Sequence, residues 1–173
     1  MKYLVVSDSH GDRNILVDIL EKNQGSIDYF FHCGDSELSS DDELFQTYIS
    51  VGGNCDFDPG YQERRIIQTP NDRIYMTHGH LSSVRFGLTQ ISFEAQEADA
   101  DIVLFGHTHM IGCEMVKNRL YLNPGSISQP RGSIQVKSYA IITSEDQQYH
   151  VQYYDRNHQP VSGLSFAFDR QAQ

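Results

Sequence analysis

The chain opens on an unbroken apolar run at residues 3–6 (YLVV) that gives way to a polar turn, Ser7-Asp8-Ser9-His10-Gly11. Beyond the turn, Ile15, Leu16, Ile19 and Leu20 recur at helical spacing, so the first segment predicts strand, loop, helix. Three further apolar runs follow. Residues 27–33 (IDYFFHC) end at Gly34-Asp35, residues 47–51 (TYISV) at Gly52-Gly53-Asn54, and residues 73–77 (RIYMT) at His78-Gly79-His80. Residues 81–98 place Val84, Leu88, Ile91 and Ala95 at intervals of three or four, which predicts a helix leading into the strand DIVLF at 101–105. After that strand the helical period disappears. Residues 112–116, 119–123, 137–143 and 149–155 read as short strands separated by turns and predict a second, largely antiparallel sheet. Such a chain packs most simply as an α/β fold of two facing β-sheets with helices outside. Its 173 residues fit a single domain, 1–173, with residues 165–173 (SFAFDRQAQ) read as a terminal tail.

Charge narrows the function classes. Thirteen Lys and Arg against 23 Asp and Glu leave a formal net charge of -10, the opposite of an extended nucleic-acid or anionic-membrane surface. A small phosphoester held by local cations remains compatible with it. The three cysteines, Cys33, Cys55 and Cys113, show no CxxC spacing, so reduced thiols and a cytoplasmic location are expected. The apolar run at 3–6 is too short for a signal-peptide core or a membrane span.

The unusual polar residues sit where the predicted strands end: Asp8, His10, Asp35, Asn54, His78, His80, His107 and His109. Five of the eight histidines lie in these turns, and only His32, His150 and His158 lie elsewhere. Open α/β sheets collect their ligands beyond the carboxyl ends of the strands. In an extended segment His107 and His109 point the same way, and two imidazoles on one face suit a metal. Taken singly, Asp8-Ser9 is equally a helix cap and Gly34-Asp35 or Asn123-Pro124-Gly125 an ordinary turn. In order, however, the chain reads D-x-H, G-D, G-N-C-D, H-G-H and G-H-T-H. That series, spanning about positions 2 to 143, strongly resembles the calcineurin-like metallophosphoesterase superfamily. With GNCD and NPGS it is similar to the small bacterial and archaeal phosphodiesterase branch.

The resemblance implies a four-layer α-β-β-α sandwich and a dinuclear site. Asp8, His10 and His109 would hold one divalent ion, Asn54, His78 and His107 the other, and Asp35 would bridge them. Carboxylate, amide and imidazole donors suit manganese first, or iron, nickel or zinc, whereas a cage without thiolate argues against a structural zinc site. The implied activity is hydrolysis of a phosphodiester by a hydroxide bridging the two ions. Asp35, Asn54, His80 and Arg131 form the candidate catalytic group. His80 is either a neighbour of the ligand shell or a structural histidine, and Arg131 either a phosphate contact or a solvated loop cation. The glycines before Asp35, Asn54 and His107 are expected to allow tight turns. Tyr61 is a stacking group or part of a plain connector, Asp56 reads as a second-layer partner, and His32 and Cys33 read as core. One departure stands out: larger relatives carry a histidine after the G-N asparagine, where it protonates the leaving group, and this chain has Cys55. The expected partner is a small phosphoester, with homodimerisation through the strand-rich C-terminal half as a possibility. The alternatives are a protein-interaction scaffold on the same fold, or a nucleotide pyrophosphatase or phosphomonoesterase using the same metals.

Overall fold

The apolar runs that lack a two-residue alternation lack it because both their faces are buried. In the computed structural model, which describes residues 1–171, these runs are the central strands of two mixed sheets. In the six-stranded sheet β1 (Lys2–Val6), β2 (Tyr29–His32) and β3 (Tyr48–Ser50) run parallel. On the other side of β1, the strands β9 (Ser138–Ser144), β10 (Gln148–Asp155) and β11 (Pro160–Asp169) continue antiparallel. In the five-stranded sheet β5 (Arg73–Thr77), β6 (Ile102–Leu104) and β8 (Arg119–Pro124) run parallel, edged by β4 (Arg64–Gln68) and β7 (Ile111–Val116).

The strand period of two sorts the side chains into layers. Tyr3, Val5 and Phe31 face Ile74, Met76, Leu104 and Leu122 in the core between the sheets. Leu4, Val6 and Phe30 face outward and receive Ile15, Leu16 and Ile19 of helix α1 (Arg13–Asn23). Tyr75, Val103 and Tyr121 receive Ile91 and Ala95 of α2 (Thr89–Glu97) on the opposite side. Each buried aliphatic side chain contributes about 1.5–3 kcal/mol. The layers are therefore α-β-β-α, as the sequence predicts. No helix among the described residues is long and apolar enough to cross a membrane.

Three expectations are corrected. The late strands do not form a sheet of their own: β9 to β11 extend the first sheet, and β7 and β8 join the second. The reason is that β1, buried on both faces, needs ladder partners on both edges, and β9 supplies the second. The helix expected over 81–98 is interrupted. A single 3₁₀ turn (Val84–Phe86) precedes α2, and Gly87 between them lies at φ +126, outside any helical conformation. The tail expected at 165–173 is largely strand: Phe166 pairs with Val151 and Phe168 with Tyr149, both rings packing on the inter-sheet core. The alternation F-A-F-D is that of a half-buried edge strand. Residues 172 and 173 of that expectation lie outside the described residues.

Candidate metal centre

Six parallel strands, three in each sheet, deliver their carboxyl ends to one edge of the sandwich. β1 is followed by Asp8 and His10, β2 by Asp35, β3 by Asn54, β5 by His78 and His80, and β6 by His107 and His109. α1 begins later than the Asp8-Ser9 cap reading required: Asp12 caps it, accepting from Ile15 N at 3.3 Å, so Asp8 is not spent on a helix. Five of the seven candidate ligands, Asp8, His10, Asp35, His107 and His109, hold φ between +45 and +68. Non-glycine residues pay on the order of 1–3 kcal/mol for such backbone, and it persists only where surroundings over-determine it. At Gly53 and Gly106 the requirement is space more than rotation: a Cβ there would collide with Asp35 Oδ1 or with Ser7 Oγ and Asp8 Oδ2.

Lone pairs converge where these loops meet. His109 Nδ1 donates to the Gln129 carbonyl (2.7 Å), so its Nε2 carries no hydrogen in the neutral ring. That Nε2 faces Asp8 Oδ1 at 3.0 Å and His10 Nε2 at 3.1 Å. His10 uses its own Nδ1 on Glu37 Oε2 (2.9 Å), which leaves its Nε2 bare as well. Asp8 Oδ1 is fully buried and receives no hydrogen bond. With Asp35 these groups set four donor atoms within 4.8 Å of one another. The second group repeats the pattern: His78 Nδ1 donates to the Cys33 carbonyl (2.7 Å), and its Nε2 faces Asn54 Oδ1 at 3.2 Å and Asp35 Oδ2 at 3.3 Å. Acceptors facing acceptors are reconciled by a cation between them, a metal ion or a proton taken up by the imidazole, and an outer ring nitrogen anchored on a carbonyl or carboxylate is how metal-ligating histidines are oriented. The residues therefore fit divalent ions.

The same groups shift one another's titration. Burial works to raise the pKa of the Asp8 and Asp35 carboxyls, but the facing imidazoles, His109 first for Asp8 and His78 for Asp35, hold both below the usual range. Burial opposes protonation of His78, and Asp35 and Asp8 overcome it, so its pKa rises. His107 goes the other way, pushed down to about 4 by burial and by the charges of His78 and Arg85.

A second layer locks the loops. His32, read from sequence as core, is buried and accepts from Gly34 N (3.1 Å) on Nδ1, so its Nε2 donates to Ser9 Oγ (2.9 Å), tying the β1 loop to the β2 loop. Asp56 accepts from the backbone N–H groups of Asp35 (2.7 Å), Gly53 (2.8 Å) and Glu37 (2.7 Å), which makes it the second-layer partner expected. The turn after β8 clamps the rest: Ser126 Oγ donates to Asp8 O (2.7 Å), Ser128 Oγ to Ser9 O (2.8 Å) and Asn123 Nδ2 to Gly106 O (2.9 Å).

The other candidates divide. His107 lies beside His78, ring centroids 5.2 Å apart, but its Nε2 accepts from Arg85 Nε at 2.9 Å. His80 is 5.4 Å from His78 by ring centroid, and its Nδ1 is buried without a partner, which places it next to the ligand shell. Arg131 reaches the site only through its backbone, N to His109 O at 3.0 Å, and its side chain is exposed. Tyr61 is connector: its hydroxyl donates to Leu38 O (3.1 Å) and meets Ser36 Oγ (2.9 Å), and its ring packs edge-on to Phe45. Sequence reasoning missed Glu37 and Arg85. Glu37 carried a signal, as a carboxylate two residues beyond Gly34-Asp35. Arg85 carried one too, as a cation in the loop directly after H-G-H.

A sequence profile described as the calcineurin-like phosphoesterase superfamily domain matches residues 1–147. The chain belongs to that superfamily. It is similar to the probable metallophosphoesterase YsnB of Bacillus subtilis, 36% identical over 164 residues that cover 95% of this chain and 96% of YsnB. Phosphodiesterase YfcE of Escherichia coli K12 is 31% identical over 98 residues, 52% of this chain and 50% of that one. Among solved structures, a conserved protein of Streptococcus pneumoniae TIGR4, a predicted phosphoesterase, superposes with a TM-score of 0.95 at 40% identity, covering 98% of this chain and 97% of that one. Vps29 of Entamoeba histolytica complexed with zinc superposes at 0.72 with 23% identity and 98% coverage of each chain, a likeness of fold alone. In this metallophosphoesterase, Cys55 follows Asn54. Burial, then the charge of Asp35, pushes its thiol up to about 11.

Proposed function

We propose that the protein is a phosphodiesterase working with two divalent ions, manganese first among manganese, iron, nickel and zinc. Asp8, His10 and His109 take one ion, Asn54, His78 and His107 the other, and Asp35 lies between. The observation that carries this reading is the set of hydrogen-free acceptors meeting at Asp8 Oδ1, Asp35 Oδ2 and the Nε2 atoms of His10, His78 and His109. When bound, the two ions supply a water of lowered pKa as the attacking nucleophile and neutralise charge on the phosphoryl oxygens. The protein's own part is orientation. Glu37, the Gln129 carbonyl and the Cys33 carbonyl fix three imidazoles with their acceptor nitrogens inward, and the Cys55 N–H fixes Asp35 Oδ1 at 2.8 Å. The diester preference is supported by the likeness to YfcE, itself named a phosphodiesterase.

The fold likeness to Vps29 favours one other reading, a protein-binding scaffold with little catalysis. One assay separates them: metal-stripped protein is reconstituted with each of the four metals and tested on bis(p-nitrophenyl) phosphate, p-nitrophenyl phosphate and a nucleoside pyrophosphate. The expected result is metal-restored hydrolysis, fastest on the diester. Faster turnover of the monoester or the pyrophosphate would replace the substrate class, and binding of metal without turnover of any ester would favour the scaffold.

A further inference from the structure

His107 differs from the other imidazoles of the site in how its lone pair is used. His10, His78 and His109 each spend an outer N–H on a carboxylate or carbonyl and keep Nε2 free for a cation. At His107 the Nε2 lone pair is already taken by the Arg85 Nε–H at 2.9 Å. A neutral imidazole has one in-plane lone pair, so with Nε2 accepting, the hydrogen sits on Nδ1 and neither nitrogen can bind a metal.

The turn that carries Arg85 is anchored. Val84 is buried, its N–H reaches the Gly79 carbonyl at 3.4 Å, and its methyls pack against Gly79 so closely that a Cβ there would lie 2.8 Å from Cγ2. The turn is thereby fastened to the H-G-H loop while Arg85 reaches across to the G-H-T-H loop. Although the chain carries 23 Asp and Glu, Arg85 forms no ion pair among the described residues, and His107 is its hydrogen-bond partner. Among the described residues no such guanidinium sits on the facing atoms of Asp8, His10 and His109.

We infer that Arg85 competes with the second metal ion for the lone pair of His107, so that the two sites fill in order: the Asp8–His10–His109 site first, the second only as Arg85 lets go. The inference rests on the two-ion reading above. A hydrogen bond from a charged donor, together with repulsion between guanidinium and ion, sets the handicap of the second site at about tenfold or more.

The test is calorimetric titration of the metal-stripped full chain with manganese chloride, comparing the native protein with Arg85→Met, and with Arg131→Met as a control for the loss of one exposed positive charge beside the site. Two unequal equivalents are expected in the native protein. Arg85→Met should tighten the second by about tenfold or more and leave the first within about twofold, while Arg131→Met should give no selective gain at the second. An unchanged or weakened second equivalent in Arg85→Met, with the two-equivalent total intact, overturns this inference alone; a second ion taken by neither the native chain nor either variant overturns the two-ion reading with it. Nitrogen-15 NMR of the metal-free protein provides a readout independent of affinity: His107 should carry its hydrogen on Nδ1 in the native chain, and a hydrogen on Nε2 would refute the competition directly.

Discussion

Asp35 is the residue on which the account of the site leans hardest. It belongs to the Asp8–His10–His109 group, and its Oδ2 also lies 3.3 Å from His78 Nε2. In the two-ion reading Asp35→Asn removes one charge that both ions share, so it should lower the affinity of both by at least about tenfold, whereas His78→Ala should weaken chiefly one. Isotope-dilution measurement of bound manganese at limiting metal decides this, and retention of two ions at native affinity in Asp35→Asn would contradict the bridge. His32 gives a prediction of a different kind. Burial drives its pKa from 6.5 down to about 4. Above pH 6.5 neither folded nor unfolded chain protonates this ring and the stability is fully present. Between about 6.5 and 4 the unfolded chain takes up a proton that the folded one refuses, so stability falls as pH falls, by on the order of 3 kcal/mol in all. Urea unfolding at pH 7.5 and pH 5, both with chelator, should show a smaller pH-dependent loss for His32→Gln than for the native chain. Equal losses would mean that His32 is not the buried neutral clamp described here.

Among the elements, five of the six parallel strands were legible because each announces itself twice, as an apolar run and as a glycine with a candidate ligand beside it at the carboxyl end; the sixth, β8, reads from sequence as one of the late antiparallel strands. The layer they belong to was not legible. Nothing in KSYAIIT or YHVQYYD says which sheet those strands join, since strand partners are chosen by which edges stand open in three dimensions, and β1 leaves one open. The break at Gly87 was hidden for a related reason: Val84 keeps helical phase with Leu88, Ile91 and Ala95 although it is buried from a separate 3₁₀ turn. That the candidate ligands gather at the strands' carboxyl ends was legible because order and residue type survive in one dimension. The His32 and Arg85 contacts were not, because both depend on which loops come to lie side by side. The C-terminal strand β11 is where the difference between the two readings is largest. A tail could be removed without consequence. As an edge strand burying Phe166 and Phe168, residues 165–173 should cost the protein about 3 kcal/mol or more when deleted, and a truncated chain with an unchanged Tm would restore the tail reading.

For the molecule as a whole, two sheets act as one frame that brings loops from both to a single edge, and the chemistry follows from what those loops lack as much as from what they hold. In the two-ion reading proposed above, they hold acceptors for both cations. At position 55 they hold a thiol, its pKa pushed up to about 11 by burial and the charge of Asp35, in place of the imidazole that the superfamily resemblance leads one to expect in larger members. General-acid help supplies about 10²–10⁴-fold where it is present, so turnover should depend steeply on leaving-group pKa, and Cys55→His should accelerate alkyl esters more than nitrophenyl esters. A shallow dependence in the native enzyme, unmoved by the substitution, would mean that another group donates the proton, with His80 and Asp56 the next candidates. The central claim is that two ions act together on a diester. It is tested most directly by adding manganese stepwise to metal-stripped protein while bound metal and hydrolysis of bis(p-nitrophenyl) phosphate are measured on the same samples. Activity should stay low through the first equivalent and rise with the second; full activity at one equivalent, or none at two, would contradict the account.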